Sequence, residues 1–129
     1  MNRKIIIGIV AVIIILAVFA GFKYLKQEPQ PTFVAGNETL EITILDSNSS
    51  PVQNIEVDLW KSENANGPPT AGISETDNSG KALFKVPGGN YLVGFNGLNF
   101  PDIFAYPEKS PVSVAKGETK KTIILEMKE

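Results

Sequence analysis

From Leu40 onward, apolar and polar residues alternate in short runs that end at turn residues, and this two-residue period most limits the folds open to the chain. In LEITIL, Leu40 to Leu45, the residues Leu40, Ile42 and Ile44 share a face, although Leu45 breaks the alternation. NIEVDLW, Asn54 to Trp60, places Ile55, Val57 and Leu59 on one side and Glu56, Asp58 and Trp60 on the other. Successive side chains of a strand point to opposite faces, so each run predicts a strand with one buried side. Past Phe33 no sustained three-four spacing of apolar residues appears, which argues for an all-β domain.

The turns are equally legible. DSNSSP, Asp46 to Pro51, reads as a polar turn, and KSENANGPPTAG, Lys61 to Gly72, as a long loop leading to a strand at ISET, Ile73 to Thr76. Asp77 to Gly80 predicts a tight turn, with Asp77 bonding to its own downstream backbone and Gly80 free to take positive φ. The strand KALFKV follows, then a second reversal at Pro87, Gly88 and Gly89, then a strand with Tyr91, Val93 and Phe95 inward. This stretch, Thr76 to Phe95, is expected to form a strand, hairpin and strand unit. PVSV, Pro111 to Val114, and KTIILEM, Lys121 to Met127, complete seven strands, enough for a two-sheet sandwich.

The N-terminus is of another kind. Ile5 to Phe22, IIIGIVAVIIILAVFAGF, holds no charge, and as a helix it would reach about 27 Å, close to the roughly 30 Å hydrocarbon core of a bilayer. Two readings stand, an uncleaved transmembrane anchor and a secretory signal peptide cut after Val18, Phe19 and Ala20. The length of the run and the closely following Lys23 and Lys26 favour the anchor. Either way the later residues are expected outside the cytoplasm, although Arg3 and Lys4 outweigh Lys23 and Lys26 only narrowly. QEPQP, Gln27 to Pro31, ends the helix and begins a short stalk. The expected organisation is therefore an anchor over 1–26, a stalk over 27–36 and a β-domain over 37–129. The C-terminal LEMKE shows no cell-wall sorting motif, so attachment is expected through the N-terminal run.

Composition removes whole classes of function. The chain has neither cysteine nor histidine, which excludes disulfides, thiolate or histidine metal sites, and nucleophiles that need a histidine base. The β-domain carries more Asp and Glu than Lys, so a nucleic-acid partner is not expected. Lysine outnumbers arginine and isoleucine is frequent, as in an AT-rich prokaryotic genome.

The order P-V-x-N-I-x-V-x-L at Pro51 to Leu59, T-D-x-x-G-K-A at Thr76 to Ala82 and P-G-G-x-Y at Pro87 to Tyr91 resembles the carboxypeptidase regulatory-like domain. The resemblance covers about Leu40 to Met127. It implies a transthyretin-like (prealbumin-like), seven-stranded Greek-key β-sandwich, shared with the B-type repeats of collagen-binding surface proteins, and a role in display, adhesion or bracing without catalysis. It implies structural roles for Thr76, Asp77, Gly80, Gly89 and Tyr91. Such surface repeats often carry a Lys–Asn isopeptide bond, but the matching stretch here is ITILD, with no lysine at Thr43 or Ile44. No crosslink is expected there.

Candidate sites are few. Phe100, Phe104 and Tyr106 lie in the loop-like NFPDIFAYP, where they either stack on sugar or protein or plug an open end of the sandwich. Trp60 is out of phase with Ile55, Val57 and Leu59 and so either faces outward or covers the core edge. Asp46, Asn48 and Ser50 have the spacing that opens a calcium loop, but its glycine and distal glutamate are missing, so neither a metal nor a cofactor is expected. Asn37 and Asn48 match the glycosylation acceptor pattern. The expected function is a single-pass, membrane-anchored extracytoplasmic module that binds or scaffolds. The alternatives are a carbohydrate-binding module using Trp60, Phe100, Phe104 and Tyr106, and an accessory subunit of a larger membrane complex.

Overall fold

The computed structural model describes residues 32–129. The Ile5–Phe22 run, the proposed anchor over 1–26 and the start of the stalk lie outside the described residues. Among the described residues there is no helix, and none long and apolar enough to cross a membrane. Seven strands form where alternation predicts them: β1 (Glu38–Asp46), β2 (Glu56–Lys61), β3 (Gly72–Glu75), β4 (Lys81–Val86), β5 (Gly89–Phe95), β6 (Ser110–Val114) and β7 (Glu118–Leu125).

They build a β-sandwich of two sheets, one in the order β4-β1-β7 and the other β3-β2-β5-β6. β1 and β7 run parallel, from Thr39 opposite Glu118 to Asp46 opposite Leu125, and every other pairing is antiparallel. The period-two pattern decides the core. Leu40, Ile42 and Ile44 of β1 are fully buried beside Ala82, Phe84 and Val86 of β4 in the same sheet, and they form one cluster with Val57 and Leu59 of β2 and Tyr91, Val93 and Phe95 of β5 from the other. At roughly 1.5–3 kcal/mol for each large aliphatic or aromatic side chain, this burial is the main favourable term holding the sheets together.

Two expectations change. Thr76–Phe95 is not a hairpin unit, because β4 belongs to the first sheet while β3 and β5 belong to the second. Its two turns are arches that carry the chain between sheets. Turn residues specify a reversal of direction, whereas the partner of each strand is set by which apolar face it can cover. The last strand also begins earlier, at Glu118 rather than Lys121, directly after Gly117 at φ +93°. Its outward charges masked the alternation, and Met127 instead forms an isolated bridge with Phe104.

Two long connections remain. Residues 62–71 join β2 to β3 and residues 96–109 join β5 to β6. They leave the strands at opposite ends, since β2 and β5 are antiparallel, and both contribute to the outer face of the four-stranded sheet.

Candidate functional site

On that outer face β2 presents Glu56, Asp58 and Trp60, as their alternation requires. Asp58 pairs with Ile73 on one side and Gly94 on the other. Yet Asp58 and Trp60 are each only 4% exposed. The two long connections explain this. Trp60 donates its indole N–H to the Gly67 carbonyl at 3.0 Å, which draws the 62–71 loop over the sheet. Thr70 Oγ1 fixes the same loop, accepting from the Lys61 amide at 2.8 Å and donating to the Asn64 carbonyl at 3.2 Å. From the other side Lys109 lays its ammonium 4.1 Å from the Trp60 ring centroid and donates to the Ala65 carbonyl, tying the two loops together.

Gly94 makes room for this arrangement. A Cβ there would lie 2.8 Å from Trp60 Cζ3 and 3.1 Å from Lys109 Cγ, so a side chain would displace the indole.

Between the loops lies a cleft of about 480 Å³ with a charged floor and partly apolar walls. Glu56 and Asp58 form the floor, and Pro68, Pro69, Ile73 and Leu98 are among the wall residues. Glu56 Oε1 accepts from Asn96 Nδ2 at 3.1 Å and Oε2 from Asn99 Nδ2 at 2.8 Å. Asp58 Oδ1 is buried and accepts no hydrogen bond from any protein group. Burial, then the charge of Glu56, then a hydrogen bond shared with Glu56 push the Asp58 carboxyl up to about 7. Tyr106 donates its hydroxyl to the Phe95 carbonyl, and burial followed by the nearby Asp58 charge raises its phenol. Chemically this is an acceptor-rich pocket that takes or releases one proton near neutrality. Among the described residues no group of three or more acidic side chains is placed to hold a metal ion.

The sequence-derived aromatic candidates divide. Trp60 and Tyr106 line this cleft, but the Trp60 ring is covered by Lys109 and its own loop, and 55% of Tyr106 is exposed. Phe104 is 5% exposed and belongs to the core cluster. Phe100 is half-buried, with ring centroids 5.3 Å from Phe95, 6.5 Å from Phe104 and 5.2 Å from Tyr106. These rings pack on one another at an end of the sandwich, so the four do not form an open stacking platform. The reason is economical: a sandwich end exposes core edges, and aromatic rings from the adjoining loop cover them.

The other named positions lie elsewhere. Thr76 is buried and its hydroxyl bridges the strand-linking segment 52–55. Asp77 Oδ1 accepts from the Ser79 and Lys81 amides at 2.8 and 3.0 Å, and Gly80 takes φ +74° with its Cα against the Ile44 carbonyl. Gly89 has φ +154°, and Tyr91 is buried with its hydroxyl donating to the Pro87 carbonyl at 2.6 Å. Asp46 Oδ1 closes its turn by accepting from the Asn48 and Ser50 amides. Asn37 and Asn48 are exposed.

Asp58 escaped the sequence reading as a site. Its two-residue spacing from Glu56 puts both carboxyls on one face, and that was the available signal. Their burial depends on two loops that no alternation pattern could place.

With the geometry in hand, comparison with known proteins is informative about fold. Its solved neighbours are β-sandwich proteins. GBS52, the minor pilin of Streptococcus agalactiae, superposes with a TM-score of 0.59 at 12% identity over 74% of this chain and 47% of that one. BcpA, the major pilin subunit of Bacillus cereus, gives 0.57 at 16% identity over 72% of this chain and 31% of that one. A DUF3823 family protein from Parabacteroides merdae gives 0.52 at 14% identity over 73% and 47%. The chain thus spans less than half the length of these neighbours, and at such identities the likeness is one of fold. That likeness is consistent with a transthyretin-like sandwich. No protein-family profile matches the chain, and no curated protein matches it.

Proposed function

We propose that this chain is a single-pass membrane protein whose β-sandwich stands outside the cytoplasm and serves as a non-catalytic scaffolding or binding module. The observation that carries the reading is the two-sheet sandwich shared in fold with pilin subunits, which are structural proteins. The apolar run Ile5–Phe22 supplies the anchor, and the proline-containing segment after it holds the domain off the bilayer. The finer fold assignment belongs to the same reading: a Greek-key, transthyretin-like domain similar to the carboxypeptidase regulatory-like type. The outer-face cleft between the 62–71 and 96–109 loops is the surface through which it engages a protein partner.

A carbohydrate-stacking role finds less support, because Trp60 and Phe104 are buried. The test is extraction and capture. The full-length protein should stay with carbonate-washed native membranes and, after crosslinking, co-purify with a stoichiometric protein partner. Recovery in the soluble cytosolic fraction would overturn the reading.

A further inference from the structure

We propose that Asn66 is a site of spontaneous deamidation, at which the loop covering Trp60 rearranges and uncovers one wall of the cleft as the chain ages. The reaction needs only water. It therefore goes beyond the scaffolding reading and holds whatever partner the cleft receives.

The chain carries two Asn–Gly pairs, Asn66–Gly67 and Asn96–Gly97, and glycine has no Cβ to keep its nitrogen away from the preceding carboxamide. The fold separates the two. Asn66 is exposed in the 62–71 loop, and among the described residues no hydrogen bond holds its carboxamide or the Gly67 amide. Gly67 takes φ +78° with open space beside its Cα. Asn96 is half-buried, its Nδ2 donating to Glu56 Oε1 at 3.1 Å while its Oδ1 accepts the Leu98 amide at 2.9 Å. A carboxamide held at both atoms is not free to swing onto the Gly97 nitrogen.

Asparagines in other turns are protected differently, because the amide that would attack them is already engaged. After Asn48, the Ser49 amide donates to the Asp46 carbonyl at 3.0 Å. After Asn54 and Asn78, the Ile55 and Ser79 amides donate to Thr76 Oγ1 at 2.9 Å and to Asp77 Oδ1 at 2.8 Å. Asn66 alone among these combines a free carboxamide, a free following amide and a following glycine.

The step balances without an oxidant or a cofactor. The Gly67 backbone nitrogen forms a bond to Asn66 Cγ, the Cγ–Nδ2 bond breaks, and the amide proton leaves with Nδ2 as ammonia. Water then opens the resulting succinimide. Addition at the side-chain carbonyl gives aspartate, and addition at the main-chain carbonyl gives isoaspartate.

The position makes this rearrangement consequential. Asn66 stands between the two carbonyls that pin the loop, Ala65 accepting from the Lys109 ammonium and Gly67 from the Trp60 indole N–H at 3.0 Å. Isoaspartate carries the main chain through Cβ and Cγ, which inserts a methylene between those two anchors, and either product adds an anion beside the Lys109 contact. Two bonds set to one spacing do not both survive that insertion. Trp60 is 4% exposed under this loop and Lys109, so losing either anchor opens the indole and the cleft wall that it forms with Gly67 and Pro68.

The full chain in neutral detergent micelles is incubated at pH 8 in heavy-oxygen water, and peptides are followed by mass with fragmentation that separates isoaspartate from aspartate. The peptide holding Asn66 should take up solvent oxygen as it loses ammonia, giving both products, while Asn96 lags by at least about tenfold because two hydrogen bonds must break first. In concentrated urea the lag should vanish, since glycine follows both residues. Iodide quenching of Trp60, the only tryptophan, should rise in step with the converted fraction and stay constant in Asn66→Gln over the same period. The comparison of the two pairs in native and unfolded wild type needs no variant, so it decides the site even if Asn66→Gln folds poorly. No conversion at Asn66, equal rates at the two pairs in the folded chain, a lag that persists in urea, or conversion with unchanged quenching would overturn the proposal.

Discussion

The hydroxyl of Thr76 donates to the Val52 carbonyl at 2.8 Å, joining residues 24 positions apart. The same oxygen accepts the Ile55 amide at 2.9 Å, and the backbone of Thr76 exchanges two further bonds with Asn54 and Ile55. One buried side chain therefore fixes the crossing from the first sheet into β2. Thr76→Val keeps the shape and strands a buried donor and acceptor, so it should cost roughly 2–4 kcal/mol. Thr76→Ser should retain most of that. Urea denaturation of the two variants checks the difference, and equal stability would contradict it.

Asp58 links stability to pH. Its folded carboxyl titrates near 7 against 3.8 for the ordinary group. The folded state therefore holds a proton that the unfolded chain has released between these values. The sign follows: this contribution to stability is fully present below about 4, declines as pH rises, and is lost above about 7. Asp58→Asn removes the titration, so it should be more stable than wild type at pH 8 by more than about 1 kcal/mol, with a smaller advantage at pH 5. Denaturation midpoints at the two pH values measure it; an advantage independent of pH would be the wrong result.

Gly94 holds the cleft open beneath Trp60. Gly94→Ala places a methyl 2.8 Å from the indole and should destabilise the domain by roughly 1–3 kcal/mol. It should also release Trp60 toward solvent. A red-shifted emission and readier iodide quenching, beside an unchanged far-ultraviolet spectrum, are the expected signs.

Much of the sandwich was legible because its signal is local. Leu40, Ile42 and Ile44 announce a buried face by alternation alone, and Asp77 with Gly80 announces a turn through their own bonding and φ preference. Sheet membership was not legible, since a turn such as Pro87–Gly89 reads the same whether the next strand pairs with the last or crosses to the other sheet. The cleft was least legible. Glu56, Asp58 and Trp60 look like an ordinary solvent-facing edge, and only the loops pinned by Gly67, Thr70 and Lys109 turn them into a covered site. For Phe104 the sequence left two readings, display from a proline-containing loop or a plug for an open end of the sandwich, and only the fold shows it within the core cluster.

The proposed function stands or falls on where the sandwich resides. The chain contains no cysteine, so one introduced at Leu98, which is 98% exposed, would be its sole thiol. Full-length Leu98→Cys protein in intact cells should react with a small membrane-impermeant maleimide and stay in the washed membrane fraction. Labelling only after the cells are broken open would contradict an anchored extracytoplasmic domain.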